Sequence, residues 1–171
     1  EHQVCRVIHT STSEVYGSAL YVPIDESHPL QGQSPYSASK IGADKLAESF
    51  YAAFDLPVVT IRPFNSFGPR QSARAVIPTM ITQALTSNEI KLGNIETLRD
   101  FTFVTDTAEG FMAAVETEKA VGKVINIGSG QEISIGQLAQ VIGRNVGHPV
   151  TIKLDEKRLR PSRSEVTRIL Q

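Results

Sequence analysis

The chain predicts an α/β fold, and three observations carry that expectation. Short runs of β-branched residues alternate with stretches of helical periodicity, several runs end in segments of Ser, Thr and Asn, and no repeat or low-complexity tract interrupts the alternation. With 171 residues, 40% hydrophobic and 20% charged, the sequence can bury a core and is not of disordered composition. A formal net charge of −1 gives no bulk field for nucleic acid or an anionic membrane, so any anion site has to be made locally by arginines. The one cysteine, Cys5, excludes an internal disulfide, and no Cys/His grouping has zinc spacing, so no metal is expected. Apolar runs are short, and the start lacks the basic-then-apolar pattern of a secretion signal. A reducing, cytoplasmic setting is expected.

Val4 to His9 reads as a strand entering polar residues Thr10 to Glu14. Residues 17 to 35, with Gly17, Pro23, Pro29, Gly32 and Pro35, read as a long surface loop. From Tyr36 to Phe54, Leu46, Phe50 and Phe54 recur every four residues and form the apolar face of a long helix stopped by Pro57. Val58 to Ile61 is a second strand entering Arg62-Pro63-Phe64-Asn65. Helical stripes follow at Ile77, Met80, Ile81, Ala84 and Leu85, and at Ala108, Phe111, Met112 and Val115, the latter after an expected cap at Asp106. Strand-like pieces lie at 90–92, 101–104, 123–127 and 151–154. Ser134 with Gln137 suggests a capping box opening a helix through Val146, stopped by Gly147 and Pro149. The residues from Asp155 onward read as a charged tail. His2, His9, His28 and His148 are scattered and read as structural or solvent-facing, and the aromatic residues read as core.

Tyr36 and Lys40 stand one helical turn apart in Ser34-Pro35-Tyr36-Ser37-Ala38-Ser39-Lys40 and project from one face. An ammonium beside a phenol favours the phenolate, which suits such a pair to accepting a hydroxyl proton. The spacing alone is common on solvated helix faces. The segment Ser11-Thr12-Ser13-Glu14-Val15-Tyr16-Gly17 adds hydroxyls and a carboxylate at a strand's carboxyl end, where open α/β sheets place ligands.

These segments, with Arg62-Pro63-Phe64-Asn65-Ser66-Phe67-Gly68-Pro69-Arg70, Arg99-Asp100-Phe101 and Asn126-Ile127-Gly128, resemble the extended short-chain dehydrogenases that act on nucleotide sugars. The resemblance implies the C-terminal portion of a Rossmann-type parallel sheet plus a small substrate-binding α/β subdomain. On it, residues 1–66 would be a partial dinucleotide-binding portion and 67–171 mainly a substrate-binding region, with 101–127 returning to the Rossmann sheet. It implies NAD as cofactor and a nucleotide sugar as substrate. Thr12, Tyr36 and Lys40 match the family's catalytic hydroxyl, base and lysine, and Thr10, Ser11, Tyr36, Lys40 and Pro63 match cofactor-binding positions. Glu14 resembles the 4,6-dehydratases and the decarboxylases more than simple 4-epimerases, and Ser13 stands where glucose-type dehydratases have an aspartate. The implied chemistry is oxidation at C4, removal of the C5 proton by Glu14, loss of water from C6 and return of hydride there.

Asn65, Arg70, Arg74, Arg99 and Arg160 are the implied substrate-binding residues, the arginines being suited to phosphate oxygens. Residues 68–79 and 160–166 most resemble dehydratases of nucleotide-linked N-acetylglucosamine. The family's Gly-x-x-Gly-x-x-Gly turn, which carries the dinucleotide pyrophosphate, is not in the sequence, nor are about four strands of the family's sheet. Two classes of function therefore stay open: a dehydratase, with epimerase or decarboxylase as alternatives, that turns over only with that half supplied, and a non-catalytic nucleotide-sugar-binding or interaction module. A sheet edge left bare would favour a homo-oligomer or edge pairing.

Overall fold

The computed structural model describes residues 4–159, 161 and 163–171. His2 and Arg160 lie outside them. A first sheet is formed by β1 (Val7–Thr10), β2 (Val58–Pro63) and β6 (Val124–Ile127), all parallel, in the order β1-β2-β6. Helix α1 (Pro35–Phe54) makes the crossover from β1 to β2, and α3 (Val104–Glu116) precedes β6. Alternate residues of β2 divide the sheet's faces. Val59 and Ile61 pack with Phe111 and Ala114 of α3. On the opposite face, Arg62 reaches Asp44 of α1.

The remaining elements form a second layer of structure. β3 (Asn65–Phe67) leaves the end of β2 and pairs in parallel with β5 (Leu98–Phe103), which also pairs with β7 (Glu132–Ser134) and with the short β9 (Arg168–Ile169). β4 (Glu89–Leu92) and β8 (Thr151–Leu154) make a separate parallel pair. Their core is Met80 and Ala84 of α2 (Val76–Thr86), Ile90 and Leu92, and Ile135, Ala139 and Ile142 of α4 (Ile135–Val146). Ser134 and Gln137 form the expected capping box, and Gly147 ends α4 with φ 83°. β3, β7 and β9 have two or three residues each, too short for a period of two to show in the sequence.

Three expectations are corrected. Leu46, Phe50 and Phe54 form a stripe, but it faces solvent, with Leu46 60% and Phe54 72% exposed, and Tyr21, Tyr51 and Phe103 are exposed as well. Helix α1 instead meets the sheet through Asp44, which with Ser37 is one of its two buried residues, because its sheet partner there is the polar Arg62. Helix α3 begins at Val104, so Asp106 sits in its first turn, where a carboxylate complements the helix dipole, and is not the cap. Finally, α1 ends on Asp55 in the left-handed region, φ 53°, two residues before Pro57.

What joins α1 to the sheet is one buried polar chain. Asp44 accepts from the Arg62 Nε and Nη2 at 3.0 and 2.9 Å and lies 2.8 Å from His9 Nε2. Arg62 Nη1 donates to the Tyr16 hydroxyl at 2.9 Å, and that hydroxyl donates to Asn126 Oδ1 at 2.7 Å. The Asn126 Nδ2 donates to the carbonyl of Ile24, and its backbone N–H donates to Glu26. All three strands, α1 and the 17–34 loop are thereby tied together.

Breaking such a chain at one member leaves its partner buried and unpaired. Arg62→Met is expected to lower unfolding stability by about 3 kcal/mol, while Lys45→Ala, which removes the exposed pair with Glu48, should stay within about 0.5 kcal/mol. Urea denaturation of both variants checks the contrast. Burial pushes the Tyr16 phenol above its ordinary value, partly offset by the Arg62 hydrogen bond. The folded state therefore holds that proton more tightly than the unfolded state, so its contribution is intact below about pH 10 and falls as pH rises further. Tyr16→Phe should flatten that alkaline loss in a pH series of denaturation midpoints.

Candidate active site

β1 ends at Thr10, and the strand path continues as Ser11 N–H donates to the Ile61 carbonyl at 2.7 Å. Thr12 then turns the chain into a short 3-10 helix, Ser13–Tyr16, its hydroxyl capping the Glu14 N–H at 3.2 Å. Ser11 and Ser13 are buried, and Thr12 and Glu14 are half-buried. The Ser11 hydroxyl is buried without a protein partner.

Ser34 and Ser37 cap α1 reciprocally, and Pro35 opens its first turn, so Tyr36 and Lys40 project from the first two turns. The Lys40 Nζ donates to the Thr10 carbonyl at 2.9 Å, which brings the α1 N-terminus against the end of β1. Tyr36 is 50% exposed, with its phenol open on that side. Asp44, one further turn along, is the residue held by Arg62 and His9. The helix bearing Tyr36 is therefore anchored to the sheet one and two turns beyond it, at Lys40 and Asp44. Pro63 closes β2 beside these residues, half-buried.

On the other side of the 3-10 helix is a cavity of about 440 Å³. Glu14, Asn65, Arg74 and Arg99 all stand on its wall, with Gln71, Arg158 and Glu165. Arg99 is anchored by donating to the carbonyls of Leu98 and Val166 at 2.8 and 2.7 Å. Arg158 is steadied by Asp155 at 3.2 Å. The guanidinium groups of Arg74, Arg99 and Arg158, a side-chain type whose fork suits phosphate oxygens, thus line one cavity with the Glu14 carboxylate. The Asn65 Oδ1 is buried without a protein partner.

The structure thus groups Thr12, Ser13, Glu14, Tyr36 and Lys40 around the ends of β1 and α1, and Glu14, Asn65, Arg74 and Arg99 around one cavity. Arg70 is exposed and does not line that cavity. Arg160 lies outside the described residues. Sequence reasoning missed Gln71, Arg158 and Glu165. Arg158 belongs to a segment that looks like a solvated charged tail, and only the β4–β8 pairing brings it to the cavity. Among the described residues no group of three His, Cys, Asp or Glu is placed to hold a metal ion, and no helix is long and apolar enough to cross a membrane.

The geometry agrees with what comparison with known proteins shows. Residues 1–170 match the model of the GDP-mannose 4,6 dehydratase family. A dTDP-glucose 4,6-dehydratase of an Actinoplanes strain is 35% identical over 151 residues, which are 88% of this chain and 47% of that protein. The solved structure of TunA, described as an NAD-dependent NDP-hexosamine 5,6-dehydratase involved in tunicamycin biosynthesis, is 31% identical with a TM-score of 0.85 over 96% of this chain and 53% of that one. UDP-glucuronic acid 4-epimerase from Bacillus cereus, solved with UDP-glucuronic acid and NAD, is 29% identical with a TM-score of 0.90, over 99% of this chain and 53% of that one. The chain spans about half the length of each of these relatives. With the Rossmann-type parallel strands and the grouped Thr12, Glu14, Tyr36 and Lys40, the match over residues 1–170 establishes that this chain belongs to the GDP-mannose 4,6 dehydratase family of nucleotide-sugar dehydratases and epimerases.

Proposed function

We propose that the chain carries the proton-transfer and substrate-binding residues of an NAD-dependent nucleotide-sugar 4,6-dehydratase, acting on a nucleotide-linked hexosamine. The observation that carries this reading is the position of Glu14. Its carboxylate lines the cavity of the three guanidinium groups, while Thr12 and Lys40 flank the adjoining end of β1. A sugar whose diphosphate lies on Arg74 and Arg99 would have its ring between Glu14 and Tyr36.

In this reading Tyr36 accepts the proton of the C4 hydroxyl, with Lys40 holding its charge in check and Thr12 hydrogen-bonding the same oxygen. A ketone at C4 acidifies the C5 hydrogen, which Glu14 removes before protonating the departing C6 hydroxyl, Ser13 being unable to supply that proton. NAD, when bound, accepts and returns the hydride. Thr10, Ser11, Pro63, Tyr36 and Lys40 suit its nicotinamide-ribose end, since the Ser11 hydroxyl is buried and unpartnered there. The pyrophosphate has no Gly-rich cradle among these residues, so turnover is proposed to need a dinucleotide-binding half from a longer chain or a partner. Residues 1–66 and about 101–127 would form the cofactor side and the rest of 67–171 the substrate side, in a cytoplasmic setting.

Given that half, the product should have lost one water by mass, and Glu14→Gln should slow its formation about 10²-fold or more. Unchanged dehydration in that variant would reject Glu14 as the base. The likeness to a 4-epimerase favours epimerisation as the second reading, which predicts a product of unchanged mass. Supplying that half with NAD separates catalysis from a binding module: UDP- or GDP-N-acetylglucosamine that is bound but recovered unchanged favours the module.

Association through β1 is also proposed. Val7 donates to the Pro57 carbonyl just before β2 and Ser11 to the Ile61 carbonyl within it, so the alternate residues Ile8 and Thr10 turn their backbone groups outward, where no described strand pairs with them and only the Thr10 carbonyl is taken, by Lys40. Sedimentation should show self-association rising through micromolar concentrations, and a clean monomer throughout would count against it.

A further inference from the structure

We infer that Gln71 is a specificity-determining residue that selects a neutral hydrogen-bond donor on the sugar of the ligand. The inference rests on the proposed nucleotide-sugar site and names a contact within it. The turn from Gly68 to Gln71 closes with Gln71 N–H donating to the Gly68 carbonyl at 3.3 Å. Gly68 has φ 152°, and a Cβ there would meet Val104 Cγ1 at 2.6 Å, so the turn packs directly on the start of α3. Arg70 follows with φ 69°, a left-handed conformation that strains a non-glycine residue. That conformation leaves Arg70 exposed and puts Gln71 on the cavity wall.

The carboxamide of Gln71 is fixed in orientation. Its Nε2 donates to the Ser66 carbonyl at 2.9 Å, and exchanging the two amide atoms would set oxygen against oxygen. The Oε1 is then held as an acceptor, buried, with no protein partner. A buried acceptor without a donor has lost its water and gained nothing in exchange, a cost that a ligand donor removes. Phosphate oxygens have no proton to give and are repelled by it, and they have Arg74 and Arg99 on the same wall. What Gln71 fits is a sugar hydroxyl or an acetamido N–H.

The test is calorimetric titration of the chain and of Gln71→Met with UDP, UDP-glucose and UDP-N-acetylglucosamine. Gln71→Met keeps the length of the side chain and removes its acceptor, and Gln71→Asn, one methylene shorter, is the second variant should the first fail to fold by circular dichroism. The expected result is a loss of about tenfold in affinity for the sugar nucleotide with UDP changed less than about twofold. A loss for both sugars assigns the contact to a hydroxyl, and a loss for the acetamido sugar alone assigns it to the N–H. Unchanged sugar-nucleotide binding, or an equal loss for UDP, overturns the inference while leaving the proposed function standing. Failure of the unsubstituted chain to bind any of the three overturns the proposed function, and the inference with it.

Discussion

The buried contact between Arg62 and Asp44 is the constraint on which the rest of the arrangement depends. Parallel sheets are ordinarily covered by apolar helix faces, yet here α1 lies over a strand that turns Thr60 and Arg62 toward it. A guanidinium in that position requires an anion and further acceptors, because an unpaired buried charge would be prohibitively costly. Asp44 supplies the anion, its Oδ2 accepting two hydrogen bonds from Arg62, and the Tyr16 hydroxyl takes a third. The Tyr16 ring also lies under the guanidinium, 5.0 Å from centroid to Cζ. Directional bonds specify a register where apolar packing would tolerate sliding. Because Asp44 follows Lys40 and Tyr36 by one and two turns, the register fixed at Asp44 is the register of the pair proposed to move the C4 proton.

This explains the inverted exposure of α1. A helix pinned by polar contacts does not need its apolar stripe for docking, so Leu46, Phe50 and Phe54 are left on the outside. The opposite face of the sheet is conventional, with Val59 and Ile61 against Ala114. The outer edge of β6 is closed by side chains, the Glu26 carboxylate accepting the Asn126 N–H and Gln171 donating to the Asn126 carbonyl. At β1 the Thr10 carbonyl is taken by Lys40, the residue that also stands beside Tyr36.

Much of this was legible from the residues. The alternation of β-branched runs and helical stripes placed β1, β2, β4, β5, β6 and β8, and Ser134 with Gln137 marked the start of α4. Tyr36, Lys40 and Glu14 were legible through motif and position at strand ends. Other features were not, for physical reasons. The apolar period of α1 reports a face and not which way it points, and the information that decides the matter, Asp44 opposite Arg62, is spread over 18 residues and two elements. His9 reads from the sequence as structural or solvent-facing, with nothing local to name the partner, Asp44, that it has 35 residues away. Gln71 and Arg158 carry no local signal: each reaches the cavity only because a turn or a distant strand pair puts it there.

The two halves of the candidate site are built on different supports, and the difference suits the tasks proposed for them. Proton transfer demands fixed geometry, and Tyr36 and Lys40 stand on a capped helix bonded to a strand at both Thr10 and, through Asp44, His9. Recognition can be met by turns, and Asn65, Gln71, Arg74 and Arg158 come from a three-residue strand, a strained turn and short loops. Glu14 belongs to both sets. It sits in a single 3-10 turn whose N-terminal cap, Thr12, is the proposed catalytic hydroxyl and whose last residue, Tyr16, is bonded to Arg62. A carboxylate on so short an element has little freedom of its own. The buried chain that fixes α1 therefore also fixes the distance between the base proposed for C4 and the one proposed for C5, and these two must act on adjacent atoms of one ring.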